Sequence, residues 1–220
     1  MVERIAIIGG TGKEGSGLAM RWAKAGYEVI IGSRSAEKGA RVAQQLNQRI
    51  GQDAIRGTDN VSAAEAGDVV VLTVPYSAHK RILTEIREAV QGKVLIDVTV
   101  PLDPANITVA VFPPGGSATQ EAQALLGDGV KVVCAFQNIS AAHLREPDHP
   151  IDCDVLVCGD DASAKAVAIE LARAAGMRAL DAGPLANAAV VEGLTPLLIG
   201  INKRYQARGA GIRITGISVQ

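Results

Sequence analysis

The chain has 220 residues, 48% of them hydrophobic and 20% charged, which is the composition of a folded globular protein and excludes a disordered one. Its 22 basic residues stand against 23 acidic ones for a formal net charge of −1, and aromatics are 3%, so neither a basic field nor a stacking platform is present for nucleic acid. Three cysteines, Cys134, Cys153 and Cys158, form no C-x-x-C, which argues against a disulfide framework or a metal site and for the reducing cytoplasm.

Residues 5–8 (I-A-I-I) read as a buried strand that ends in Gly9-Gly10, and residues 12–25 read as a helix. A second strand covers 28–31. Ser35 is a good N-cap for a helix reaching about residue 50. Residues 68–74 (D-V-V-V-L-T-V) form the clearest buried strand and stop at Pro75. An amphipathic helix over 78–90 and a strand over 93–98 follow, then a Pro/Gly-rich excursion from Pro101 to Gly116. A helix over 118–126 and a strand over 130–135 lead to a polar loop with Pro147 and Pro150. Beyond it lie a strand at 155–158, a helix at 163–175, a strand at 178–181 and a long helix from 186 to 205. The most apolar stretch, 186–201, is interrupted by Asn187, Glu192 and Pro196, and it reads as too short for a membrane span, so no membrane is expected.

Alternating strands and helices predict an α/β fold, a doubly wound parallel-sheet Rossmann fold with a small C-terminal extension and right-handed crossovers. The expected division is a nucleotide-binding domain over 1–138 and a smaller part over 139–220 for acceptor binding and dimerisation.

Gly10-Thr11-Gly12-Lys13-Glu14-Gly15 matches G-x-G-x-x-G between the first strand and the first helix, the context this motif requires. Gly10 permits the tight turn, Gly12 lets the backbone approach a pyrophosphate, and Gly15 lets helix and strand pack closely. The helix start aims free N–H groups at the phosphates. NAD sites place an acid near the end of the second strand; here the chain reads Gly32-Ser33-Arg34-Ser35. Ser33, Arg34 and Lys38 suit a 2′-phosphate, an NADP signature. Val74-Pro75 and Val100-Pro101 end strands at the edge where a crevice should lie.

Of the other reactive side chains, His79 reads as a surface or capping residue at a helix start, His143 as structural and His149 as a loop residue. Lys203 reads as solvated or at an interface. No triad and no G-x-S-x-G elbow is present.

The chain resembles the NADPH-dependent coenzyme F420 reductase family over nearly its whole length. The resemblance rests on G-G-T-G at 9–12, G-S-R-x-x-E-K at 32–38, L-T-V-P at 72–75, C-D-V-L-V-C-G-D-D at 153–161 and L-D-A-G-P-L-A-N at 180–187. It implies NADP(H) as cofactor, the deazaflavin F420 as hydride acceptor, and a homodimer. It also implies acceptor contacts at Val100, Pro101, Gln137, Asn138, Gly193 and Thr195, with no side chain as catalytic acid or base, because the two cofactors carry the hydride chemistry. At Gln137-Asn138 the chain departs from the histidine-bearing pair of family members. The alternatives are an NADPH-dependent reductase of another flavin, a quinone or a small carbonyl or imine, and a non-catalytic NADP-binding protein.

Overall fold

In the computed structural model, which describes residues 2–217, short β-branched runs form one eight-stranded sheet. The strands are β1 (Arg4–Ile8), β2 (Glu28–Ser33), β3 (Ile55–Asp59), β4 (Val69–Leu72), β5 (Val94–Asp97), β6 (Lys131–Cys134), β7 (Val155–Gly159) and β8 (Ala179–Asp181). Their spatial order is β3-β2-β1-β4-β5-β6-β7-β8. β1 has β2 on one side and β4 on the other, with Ile7 opposite both Ile31 and Val71. The chain therefore winds outward from β1 one way and then the other, and the reversal opens a crevice past the carboxyl ends of β1 and β4.

Helices cover both faces. α1 (Lys13–Lys24), α2 (Ala36–Ile50) and α7 (Ala162–Ala174) bury Leu18, Trp22, Leu46 and Leu171 against one face. α3 (Asn60–Ala66), α4 (Tyr76–Ile86) and α5 (Ala118–Leu126) bury Ala63, Ile82, Leu83 and Leu126 against the other. Trp22 Nε1 donates to Leu171 O at 2.7 Å, which ties α1 to α7. At roughly 1.5–3 kcal/mol for each large apolar side chain buried, these two layers supply the bulk of the driving force for folding.

Three features differ from the sequence reading. β3 and α3 were not expected. β3 reads I-R-G-T-D, an edge strand with one apolar residue, and the seven-residue α3 has too little length for a period to show. Asp59 caps α3 by accepting from Ser62 N at 2.9 Å, a local signal that stood in the sequence. The sheet is also not wholly parallel: β7 runs antiparallel to β6, with Cys134 opposite Cys158. A parallel return needs a crossover across a sheet face. Here the connection holds only the four-residue α6 (Ala141–Leu144), which packs on α1 instead. Arg21 of α1 clips that connection in place, donating to the carbonyls of His143, Leu144, Glu146 and His149, and to Ala175 O beyond α7.

The last helix, α8 (Ala188–Tyr205), follows a 3-10 turn at Leu185–Asn187. The turn and helix together span 21 residues, and an 18-residue window within them has a mean hydropathy of 1.4, so by length and composition alone the stretch passes the test for a membrane span, as the core helix of a soluble protein also can. In the fold it buries Val191, Glu192, Pro196 and Leu198. Val190 and Leu197 on its outer side are exposed.

Candidate active site

A cleft of about 990 Å³ runs along the carboxyl ends of β1, β2, β4 and β5 and is closed on its far side by the segment after β6 and by α8. That is the upper end of the usual range for small-molecule sites. Lys13, Arg34, Lys38, Arg81 and Arg145 line it against one acid, Glu14, so the cleft suits an anionic ligand.

The glycine turn is built as the motif requires, with one shift of role. Gly9 takes the left-handed conformation at φ 76°, and a Cβ there would lie 2.8 Å from Val74 Cγ1. Gly10 packs on Ile31, where a Cβ would come within 2.8 Å, and Gly15 packs on Thr73 and Gly10. These two glycines hold the turn together beneath the cleft and do not line it. Gly12 does line the cleft, and the nearest atom to a Cβ there is Gly9 O at 3.3 Å. It is the N-cap of α1 and carries no side-chain cap, so the first N–H groups of the helix stay open to a ligand. Thr11 and Lys13 flank it on the cleft wall.

Glu14 departs from the ideal of a neutral first turn. It is half-buried, its Oε1 has no partner, and burial pushes its carboxyl up to about 8. Carrying its proton at neutral pH, it adds no negative charge to this end of the cleft. At the end of β2, Ser33 is buried while Arg34 and Lys38 are exposed, and all three line the cleft. Ser35 caps α2 by accepting from Lys38 N. Asn60 of α3 also lines the cleft, and its Oδ1 accepts from Gly9 N at 3.4 Å. The sequence reading missed it because it missed β3 and α3.

The opposite wall is a chain of hydrogen bonds joining four segments. Thr99 Oγ1 donates to Val74 O at 3.3 Å, and Thr99 N to Asp97 Oδ1 at 2.9 Å. Gln137 Nε2 donates to Asp97 O at 2.6 Å, and Thr195 Oγ1 of α8 to Gln137 O at 2.7 Å. Underneath, His79 Nε2 lies 2.7 Å from Asp97 Oδ2. His79 is 2% exposed, which corrects the reading of it as a surface or capping residue: its helix turns it into the sheet, onto a buried carboxylate. Burial opposes its charge, yet the hydrogen bond and charge of Asp97 outweigh that and hold His79 above its ordinary value. Phe136, which also lines the cleft, has φ 75° and stacks edge-on against Trp22 with centroids 5.9 Å apart. A buried aromatic residue in this conformation is strained, and such strain gathers at functional sites.

Val74, Pro75, Val100, Gln137, Asn138 and Thr195 thus meet in the one cleft. Pro101 is buried outside the lining, and Gly193 faces Phe112, 3.7 Å from where its Cβ would lie. His143 stacks on His149 at 4.6 Å under Gly209 and does not line the cleft, and Lys203 is exposed on α8 away from it.

A family model described as "NADP oxidoreductase coenzyme F420-dependent" matches residues 4–101. The chain is 48% identical to an F420-dependent NADP reductase of Methanothermobacter thermautotrophicus, over 100% of this chain and 98% of that one. It is 43% identical to an F420-dependent NADP reductase of Methanocaldococcus jannaschii, over 98% and 100% of the two chains. A crystal structure from Arthrobacter sp. FB24, assigned to the F420-dependent NADP reductases, superposes with a TM-score of 0.84 at 25% identity over 98% of this chain and 100% of that one. The glycine turn open at Gly12, the basic end of β2 and these full-length matches agree, and the chain belongs to the F420-dependent NADP reductase family.

Proposed function

We propose that the protein is an oxidoreductase that transfers a hydride between NADP(H) and the deazaflavin coenzyme F420. The observation that carries this reading is the end of β2: Ser33, Arg34 and Lys38 line the cleft where an NAD site would place an acid. The nicotinamide and the deazaflavin supply the redox chemistry, passing a hydride from carbon to carbon. The chain's part is to bind and align. Gly12 and the open N–H groups of α1 take the pyrophosphate, with Thr11, Lys13 and the protonated Glu14 beside it and Gly10 and Gly15 shaping the turn. Val74 and Pro75 support the ribose beyond β4. Val100, Pro101, Gln137, Asn138, Gly193 and Thr195 form the acceptor side, and the walls exclude water from the transfer. No side chain acts as acid or base.

Residues 1–138 form the nucleotide-binding domain, which also carries Val100, Pro101, Gln137 and Asn138 to the acceptor side, and residues 139–220 complete the acceptor side and make the contact between two copies. The chain works as a cytoplasmic homodimer on small molecules. Its balanced charge offers nothing to nucleic acid, and its three buried, unpaired cysteines suit a reducing compartment.

A charge-assisted hydrogen bond contributes about 1.5–3 kcal/mol. Arg34→Ala should therefore weaken NADPH about 10- to 100-fold in a binding titration and leave NADH nearly unchanged; equal losses for both would sink the assignment of the 2′-phosphate site. NADPH oxidation with F420, FMN, a quinone and small carbonyls offered separately tests the acceptor, and turnover with F420 alone is the expected result. Turnover with a carbonyl and none with F420 would replace this reading.

A further inference from the structure

Among the described residues, β6 and β7 make the one antiparallel junction of the sheet and its shortest ladder: Val133 lies opposite Gly159, and Cys134 opposite Cys158. Residues directly opposite in an antiparallel pair project from the same face, with Cα atoms about 4.5–5.5 Å apart. A disulfide spans Cα separations of about 4.4–6.8 Å, so this register suits one. Both cysteines are free and fully buried, and they share a small apolar cluster with Ala188 and Val191 of α8. The half-buried Leu156 and Ala182 pack against that cluster, so the pair lies one layer of side chains below the surface. Cys153 is placed differently. Its Sγ accepts from Asn138 Nδ2 and from Ile212 N, each at 3.3 Å, and it lies outside the β6–β7 ladder.

The two opposed thiols are unequal. Cys134 beside it holds the Cys158 thiol below its ordinary value against the opposing effect of burial, whereas burial pushes Cys134 well above its own. Cys158 is thus the readier nucleophile, and Cys134 keeps its proton. No group of three or more metal-ligating side chains is found among the described residues, so the pair does not read as part of a tetrahedral zinc site.

We propose that Cys134 and Cys158 form a modification site, a dithiol that hydrogen peroxide converts to a disulfide bond across β6 and β7. Burial selects the oxidant class, because a peroxide is small and uncharged enough to pass one layer of side chains and a protein disulfide is not. The Cys158 sulfur attacks one peroxide oxygen and the O–O bond breaks; the hydroxide released takes up the thiol proton and leaves as water. Cys134 sulfur then attacks the Cys158 sulfenic acid, the S–S bond forms, the S–O bond breaks, and the hydroxide departs with the Cys134 proton as a second water. The two thiols lose two electrons, and the peroxide gains them. The bond closes residues 135–157 into a covalent loop that includes the cleft-lining residues 136–142, and a small thiol reopens it. The site does not depend on the ligand reading above.

The test is peptide mapping of the full-length protein, kept folded in excess hydrogen peroxide and then alkylated. The expected product is a peptide pair joined through Cys134 and Cys158, about 2 Da lighter than its two thiol forms together and released by dithiothreitol, with Cys153 unlinked. In Cys134→Ser the link should vanish and dimedone should trap a sulfenic acid on Cys158, whereas Cys153→Ser should keep the link. Folded wild type that yields no such link, only oxygen adducts on separate thiols, or a link through Cys153 overturns the proposal whether or not the variants fold. The same link as the main product of a chain unfolded in urea before oxidation also overturns it, since the ladder would not then be what selects the pair.

Discussion

Glu14 stands in the first turn of α1, beside the glycine that opens the cleft, with one carboxylate oxygen buried and unpartnered. A carboxylate there would repel phosphates, and the fold answers by raising its carboxyl to about 8 through burial. The proton is held below that value and lost as pH rises through it. NADPH affinity should therefore stay level to about pH 8 and fall about tenfold by pH 9.5, whereas Glu14→Gln should match wild type at pH 7 and stay level throughout. Titrations across that range decide the matter, and parallel curves for the two proteins would rule it out. His79 is a second residue whose setting only the fold reveals. Its folded value lies above the ordinary one, so the stability it contributes is full below about pH 6.5 and declines as pH rises through the folded value. His79→Ala leaves Asp97 buried without its partner, a loss of about 3–5 kcal/mol. Melting curves at pH 6 should show a drop on the order of 10 °C; a variant within 1 °C of wild type would contradict the role of the pair.

α8 is held to the rest of the molecule by one of its own acids. Glu192 Oε2 accepts from Ala118 N at 2.8 Å, and Oε1 from Thr119 N at 3.0 Å and Thr119 Oγ1 at 2.8 Å. The carboxylate thereby meets the start of α5, where free N–H groups and the helix dipole favour a negative charge. Burial pushes Glu192 up to about 7 in spite of those bonds. An acid whose folded value is raised binds its proton more tightly folded than unfolded, so stability should decline as pH rises from about 4.5 to about 7. Glu192→Gln removes the titration. Its urea midpoint should change less than that of wild type between pH 5 and 7, and identical slopes would count against the tie. The helix itself was legible from its apolar run, and so was the cap at Ser35. The α5 contact was not, since residues 118 and 192 lie far apart in the chain and nothing local marks them as partners.

Among the described residues, six of the nine exposed large apolar side chains fall in two stretches, Ile107, Val109, Val111 and Phe112 in the excursion after β5 and Val190 and Leu197 on α8, the others being Tyr205, Ile214 and Ile217. The two meet where Gly193 faces Phe112 and Gly200 faces Thr108. An apolar surface of this kind suits a second copy of the chain, in line with the homodimer proposed above. Leu197→Asp should shift the protein to monomer in light scattering at micromolar concentration without lowering its melting temperature by more than a few degrees. A wild type that is monomeric in the same measurement would refute the dimer.

What the sequence determined by itself was set by local physics. Glycines that a tight turn needs, a β-branched run that ends in one, and a basic rather than acidic residue after the second strand all act within a few residues of one another. They sufficed for the doubly wound sheet, the glycine turn and the reading of NADP(H) as cofactor. The polar edge strand β3, the antiparallel β7 and the buried partners of His79, Glu192 and Gln137 were decided by tertiary structure. Strand direction follows from which face a connection can cover, and a buried polar group's state follows from the partner that desolvation forces on it. Gln137 and Asn138 show the division most plainly. The sequence placed two amides together, and only the fold decided that each spends its N–H end on a buried carbonyl, Gln137 on Asp97 O and Asn138 on Asp154 O.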